Sequence, residues 1–228
     1  MSNNSRITGP ELRKSLKLVI IAVTFGMGFF TVTGGPIGAA PFTGFIRMLN
    51  PGDFVYGIIM ALPVIGGVFQ MLGSYLLETT GKRKLMFLIS GFIHRFLWIP
   101  IAIIPLLIRE QNHNLRIWSV TVLITISCIS HYLTNIGFSS WMGALVPPEI
   151  KGRFFSRRTM IYTISSAVTG LLVGFALDKA TDFNGFALIF IIASLLGMAD
   201  IFCFIFIKDP VMEMPKEKPK MLKFFVKP

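Results

Sequence analysis

A histidine and an arginine lie side by side in the middle of a long apolar run. The stretch "SGFIHRFLWIP", Ser90 to Pro100, carries His94 and Arg95. An imidazole can gain and lose a proton near neutral pH, whereas a guanidinium stays charged and pairs with carboxylates. Both groups need partners inside an apolar helix, because an unpaired charge at the centre of a bilayer costs at least ~2.5 kcal/mol.

The partner predicted for Arg95 is Asp200, in the last apolar run. Along a helix, Arg95 lies ~16 Å beyond Lys84, and Asp200 lies ~12 Å before Lys208. These are the only fully charged side chains deep in any apolar run. We therefore predict that they form an ion pair or share a polar network at one depth. The alternative is a coupling site, in which Asp200 or His94 takes up and releases a proton.

A second set of polar residues is spaced for one face of a helix. Ser127, His131, Asn135 and Ser139 recur every four residues. This stripe either lines a solute path, with His131 as hydrogen-bond partner or proton carrier, or bonds to a neighbouring helix. Three further lining candidates come from other apolar runs: Thr31, Tyr162 and Ser166.

The composition is that of a membrane protein. Of the 228 residues, 53% are hydrophobic and only 14% are charged, against roughly 25% charged in soluble domains. The net charge of +11 reflects basic loops between apolar blocks, so we expect no nucleic-acid partner. Both cysteines lie in apolar runs, and we expect neither a disulfide nor a metal site nor a cofactor.

The apolar blocks predict an all-α integral membrane protein with six transmembrane helices. Residues 1–17 form a polar, uncleaved N-terminal segment, residues 18–207 the transmembrane bundle, and residues 208–228 a linker or tail. The predicted spans are Leu18–Gly35, Phe54–Leu77, Leu85–Ile108, Ile117–Ser140, Thr159–Leu177 and Phe183–Ile207. We expect the first to continue irregularly through "GGPIGAAPFTGFIRML", because glycine and proline loosen the helix.

The distribution of Lys and Arg predicts that both termini are cytoplasmic. With the N-terminus inside, 17 of the 22 basic residues lie in inside segments. The outside segments then hold only four: Arg47, Arg109, Arg116 and Lys179.

Two predicted cytoplasmic loops resemble the major facilitator superfamily. The loop "SYLLETTGKRK" is similar to the family motif G-x-x-x-D-R-x-G-R-R/K. Its matching residues are Glu78, Gly81, Lys82, Arg83 and Lys84, while Ser74 and Thr79 depart from the motif. The segment "SSWMGALVPPEIKGRFFSRR", Ser139 to Arg158, resembles the family's connection between the fourth and fifth spans. There we expect Gly152 to supply a turn, and Arg153, Arg157 and Arg158 to reach helix ends or lipid phosphates.

The resemblance implies the N-terminal half of such a transporter, a six-helix bundle built as a 3+3 inverted repeat. It places the first and fourth spans at the cavity and the third and sixth at the periphery, which favours a structural role for Arg95 and Asp200. It also implies a bacterial inner membrane and a partner, either a C-terminal six-helix half or a second copy. The family's G-x-x-x-G-P antiporter motif is absent from the fifth span.

The expected function is secondary transport of a small solute by alternating access, because no phosphate-binding loop indicates a primary pump. One alternative is a non-transporting half-bundle that needs a partner. Another is an intramembrane hydrolase using Ser139 or Ser140 with His131; the fifth and sixth spans offer no histidine as a base. We therefore expect a protein that is not an enzyme.

Overall fold

The computed structural model describes residues 9–210, and these are helical, with no strand among them. Residues 1–8 and 211–228, which hold part of the predicted N-terminal segment and most of the predicted linker, lie outside the described residues. The helices are α1 (Gly9–Thr33), α2 (Ala40–Leu49), α3 (Gly52–Thr80), α4 (Arg83–Phe96), α5 (Trp98–Leu107), a 3-10 turn (Glu110–Asn112), α6 (His113–Leu145), α7 (Pro148–Lys179) and α8 (Phe183–Ile205).

Six helical segments of the described chain are long and apolar enough to cross a membrane. This is the pattern of a multi-pass membrane protein. Each overlaps one predicted span, with the third formed by α4 and α5 together. We call the end of the bundle that holds Glu11, Gly81 and Pro148 the Glu11 end, and the opposite end, which holds Asn50 and His113, the His113 end.

The start of α7 corrects the predicted loop between the fourth and fifth spans. Only Val146 and Pro147 separate α6 from α7, which begins at Pro148, eleven residues before the predicted Thr159. Proline fits the first helical turn, because its missing N–H would have no intrahelical partner there. Gly152 is therefore inside a helix and supplies no turn. The basic residues that follow it are carried on α7 and not on a loop.

Two proline- or glycine-rich sites interrupt the other helices. After α1 the chain turns at Gly34 and Gly35, whose φ angles of 82° and 88° favour glycine. The third span breaks at Leu97, between α4 and α5. Pro100 lacks the N–H that would bond to the carbonyl of Phe96, which explains a break at this point.

Aromatic side chains close the His113 end of the bundle. Phe42 and Phe45 of the short helix α2 are fully buried. Phe42 meets Trp98 edge-on at 5.8 Å between ring centroids, and Phe45 meets Phe190 at 5.3 Å. Trp98 and Phe190 stack on each other at 5.1 Å. We call these four residues the aromatic cap; it fixes α2 against Trp98 at the start of α5 and against Phe190 of α8.

Basic residues of the predicted loop motif fasten the Glu11 end. Gly81 ends α3 in the left-handed conformation, with φ 66°, so the glycine serves the tight reversal that the sequence predicted. Lys84 Nζ donates to the carbonyls of Ile205 and Ile207 at 2.8 and 2.6 Å, which neutralises the C-terminal end of α8. Arg83 Nη2 donates to the Pro210 carbonyl at 2.6 Å.

The two remaining motif residues make no such contacts. Lys82 is exposed, and Glu78 forms no ion pair with any residue between 9 and 210. The acidic position of the motif therefore does not pair with the basic run in this chain.

Two helices are covered much less than the others. No residue in the most apolar 18-residue stretch of α7 is buried, and only 17% of the corresponding stretch of α3 is buried. The exposed side chains of α7 include Val168, Leu171 and Phe175. These faces contact either lipid or another apolar surface.

Asp182 is the N-cap of α8 and lies outside the membrane-spanning segments. Its Oδ1 accepts from the Gly185 N–H at 2.9 Å, and its Oδ2 accepts from Asn184 Nδ2 at 2.8 Å. These bonds, the first more strongly, lower the pKa of Asp182 below its ordinary value of 3.8. A depressed pKa means that the stabilisation is complete above the ordinary value and is lost as the pH falls through the lowered one.

We therefore expect the thermal unfolding midpoint of the wild type to fall more steeply between about pH 5 and pH 3 than that of Asp182→Asn. The asparagine keeps an acceptor oxygen but carries no titrating charge. The matched control is Asp178→Asn, at an exposed position on α7. If the unfolding midpoints of wild type and Asp182→Asn fell equally steeply with pH, the prediction would be contradicted.

Candidate functional site

Arg95 and Asp200 form a buried ion pair between α4 and α8. Arg95 Nη2 lies 2.5 Å from Asp200 Oδ2, and the two side chains are 3% and 7% exposed. Arg95 Nη1 also donates to the Gly91 carbonyl at 3.2 Å, and Ser194 Oγ donates to the backbone carbonyl of Arg95 at 2.5 Å. The structure thus brings together the two residues that helix depth placed at one level.

Glycines make room for this pair. A Cβ on Gly197 would lie 2.9 Å from Arg95 Cγ, and a Cβ on Gly26 would lie 3.1 Å from Asp200 Oδ2. Both distances are shorter than ordinary carbon contacts. Since Gly26 is on α1 and Gly197 on α8, the pair lies where both α1 and α4 pack on α8.

The ion pair lines a cavity of ≈ 80 Å³ between α1, α4, α6, α7 and α8. This volume is large enough for several water molecules. Its polar lining residues are Arg95, Thr134, Asn135, Arg158, Tyr162 and Asp200. Apolar groups, among them Met27, Phe30 and Phe138, form the rest of the wall. The family resemblance favoured a pair away from the solute path, but the structure places it on the same cavity as two lining candidates, Asn135 and Tyr162.

Arg158 is the site residue that the sequence interpretation missed. It was assigned to a basic loop, yet it is ten residues into α7, or ~15 Å along the helix. Its guanidinium lies 4.8 Å from the centroid of the Phe138 ring. The sequence contained the signal. Pro148 can begin a helix, and a helix that begins there sets Arg158 at the depth of Arg95.

His94 belongs to a chain of hydrogen bonds that runs from the core to the cavity. Its Nδ1 lies 2.8 Å from Ser127 Oγ, and its Nε2 lies 3.3 Å from His131 Nδ1. His131 Nε2 lies 2.9 Å from Asn135 Nδ2. His94 and Ser127 are fully enclosed, whereas Asn135 is exposed. Three residues of the predicted polar stripe on α6 are thus joined to the unexplained histidine of α4.

The chemistry of these groups sets the direction of the chain. An amide nitrogen only donates, so His131 Nε2 accepts from Asn135 and His131 Nδ1 carries the proton. That proton is donated to His94 Nε2, which leaves His94 Nδ1–H to donate to Ser127 Oγ. The Ser127 hydroxyl in turn donates to the backbone carbonyl of His94 at 3.3 Å. With both imidazoles neutral, each of their ring nitrogens has a partner, and Asn135 at the end of the chain lines the cavity.

The remaining lining candidates do not line the cavity directly. Thr31 Oγ1 and Thr169 Oγ1 lie 2.8 Å apart and join α1 to α7. The backbone carbonyl of Ser166 accepts from Thr169 Oγ1 at 3.2 Å. Neither Thr31 nor Ser166 lines the cavity, and Ser127 reaches it only through the histidine chain. Of the six predicted residues, Asn135 and Tyr162 line the cavity directly.

Comparisons of the chain with protein-family models, with curated proteins and with solved structures found no match. The function is therefore argued from the fold and from the geometry of the cavity.

Proposed function

We propose that the chain is one bundle of a secondary transporter of the major facilitator type, which moves a small solute by alternating access. The observation that carries the proposal is the cavity: an ion pair, an amide, a phenol and a further arginine line one space in a largely apolar six-helix bundle. Polar groups at this depth are costly, and in membrane proteins they mark solute or ion paths.

The pattern of helix packing supports the 3+3 repeat. In the first half, α1 packs most heavily on α7 and α8; in the second half, α6 packs most heavily on α3 and α4. The paired α4–α5 segment also packs on α8. Exchanging the first three spans with the last three therefore returns the same heavily packed pairs, as an internal repeat would, although the lighter α7–α8 contact has no counterpart between α3 and the third span.

A second bundle has an available surface. The outer faces of α3 and α7 are the least covered of the spanning helices, and they are equivalent under the same exchange. Asn135 and Tyr162 are both exposed on the side of the cavity that α7 borders. A second six-helix bundle on this side, from a further segment of polypeptide or a second copy, would complete the solute site. A bundle that cannot acquire such a partner would be the non-transporting alternative.

The geometry offers little to a hydrolase. The rings of His94 and His131 contact one serine in the described part of the chain, Ser127, and that hydroxyl donates to a backbone carbonyl in a fully buried position. A serine nucleophile must instead be open to its substrate.

Accessibility of position 135 from the two membrane faces tests alternating access without knowledge of the solute. The variant is Asn135→Cys in a background with Cys128→Ala and Cys203→Ala, in right-side-out and inverted native membrane vesicles. We expect a membrane-impermeant maleimide to label it from both faces, because the cavity opens alternately to each. The vesicles themselves should stay impermeant to the reagent.

Ile124→Cys in the same background is the matched control, since Ile124 is fully buried on α6; it should stay unlabelled. Labelling of position 135 from one face only would contradict the transporter and favour the fixed half-bundle. The same vesicles test our proposal that the Glu11 end is cytoplasmic: a cysteine at exposed Lys82 should react only in inverted vesicles.

A further inference from the structure

The cavity carries more positive than negative charge. Its lining includes two guanidinium groups, those of Arg95 and Arg158, and one carboxylate, that of Asp200. The carboxylate is already engaged by Arg95. Arginine does not lose its proton in proteins, so the excess charge cannot be removed by titration.

Both guanidinium groups keep unused donors. The Nε atoms of Arg95 and Arg158 are buried and have no hydrogen-bond partner among residues 9–210. None of the other Arg158 donors forms a hydrogen bond within this range either; its guanidinium lies over the face of Phe138 and interacts electrostatically with Asp200 and Tyr162. An unpartnered guanidinium in an apolar wall is costly, and bound anions are the groups that its planar fork of donors fits best.

Arg116 shows that the combination is particular to this cavity. Its Nε is also buried without a partner in the described chain, and its guanidinium lies 5.1 Å from the ring of Phe183. Arg116, however, is in the first turn of α6 at the His113 end and lines none of the cavities described for the bundle. Among the arginines of residues 9–210, unpartnered Nε donors and a cavity coincide at Arg95 and Arg158.

We propose that the cavity binds a small oxyanion, a carboxylate or a phosphate, and that this anion is the solute class of the proposed transporter. Arg158 supplies the free bidentate fork and Arg95 Nε a further donor. Asp200 is a positioning residue, because its bond to Arg95 Nη2 holds that guanidinium at the wall. The Asn135 carbonyl accepts a hydrogen bond from any hydroxyl or amino group that the anion carries.

Binding to the purified full-length chain in nanodiscs tests this proposal. The thermal unfolding midpoint is followed against increasing sodium acetate and, separately, inorganic phosphate, at constant ionic strength in sodium chloride. Acetamide, which has the shape of acetate without its charge, is the neutral control. We expect a saturable rise in the midpoint with acetate, phosphate or both, and none with acetamide. Acetate alone would identify a carboxylate site, and phosphate alone a phosphate site.

Two variants locate the binding. Arg158→Gln should weaken the apparent affinity at least about tenfold, because it removes a charge-assisted, bidentate contact. Arg157→Gln, at the exposed neighbouring arginine, should leave the affinity unchanged. If Arg158→Gln does not fold, Arg158→Lys keeps the charge but not the fork and should still bind several-fold more weakly.

No rise with either anion, or equal losses in Arg157→Gln and Arg158→Gln, would overturn the proposal, as would full affinity in Arg158→Lys. If neither anion raises the unfolding midpoint, the excess positive charge would be neutralised instead by an acidic group of a second bundle. Because the inference rests on the proposed function, the labelling of Asn135→Cys separates the two. Labelling from both faces without anion binding would overturn only the proposed solute class. Anion binding with labelling from one face would overturn the proposed transport.

Discussion

Arg95→Leu alone is expected to lower the free energy of unfolding by about 3–5 kcal/mol, because it leaves Asp200 charged and unpaired in an apolar interior. Arg95→Leu with Asp200→Leu should recover most of that loss, since two apolar side chains of similar size need no partner. The measurement is the unfolding midpoint in denaturant of the purified protein in detergent, for wild type, both single variants and the double variant.

The Arg83–Asp209 contact provides the control. This pair is longer, at 3.4 Å, and Asp209 is 35% exposed, so Asp209→Leu should cost no more than about 1 kcal/mol. If the double variant at positions 95 and 200 were as damaged as Arg95→Leu alone, the two side chains would not act as a pair. Arg95 would then stabilise the bundle through its contacts with the rings of Phe29 and Phe30, at 5.5 and 5.4 Å.

Gly137→Ala is expected to destabilise the bundle by about 1–3 kcal/mol, at the upper end of that range. A Cβ at Gly137 would lie 2.9 Å from the backbone nitrogen of Phe87 and 3.1 Å from the carbonyl oxygen of Arg83. The obstacle is main chain, which cannot rotate away as a side chain could. To accept the methyl group, α4 and α6 would have to separate along their whole contact.

Gly170→Ala is the matched control, because a Cβ at Gly170 on α7 would meet nothing within 4 Å. There the substitution should be neutral or slightly stabilising, since alanine favours helix by up to about 1 kcal/mol relative to glycine. Equal losses at the two positions would show that helix flexibility, and not close approach, explains the glycines. The comparison is made on the thermal unfolding midpoint at one protein concentration.

The sequence predicted the spans and the level of the charged residues because both follow from arithmetic along a helix. Apolar length sets the number of crossings, and 1.5 Å per residue sets depth. That is why Arg95 and Asp200 could be matched in depth although 105 residues separate them along the chain. The same arithmetic failed at Arg158, because its starting point was placed at Thr159 and not at Pro148.

The direction in which a polar side chain points was harder to predict. Thr31 and Asn135 are both polar residues in an apolar helix, yet one bonds to Thr169 and the other faces the cavity. Rotation of each helix about its axis decides between these outcomes, and it depends on packing among distant segments. His94 could not be explained from its own helix for the same reason: its partners, Ser127 and His131, are more than thirty residues away.

The uncovered apolar face of α7 bears on how the protein is assembled in the membrane. No residue in its most apolar stretch is buried, and α7 packs mainly on α1, with a 2.8 Å hydrogen bond between Thr31 and Thr169. In the proposed transporter, Arg158 would line a cavity that stays incomplete until a second bundle binds. An unpaired charge at this depth is costly. We therefore expect copies without a partner bundle to be degraded faster than copies that have one.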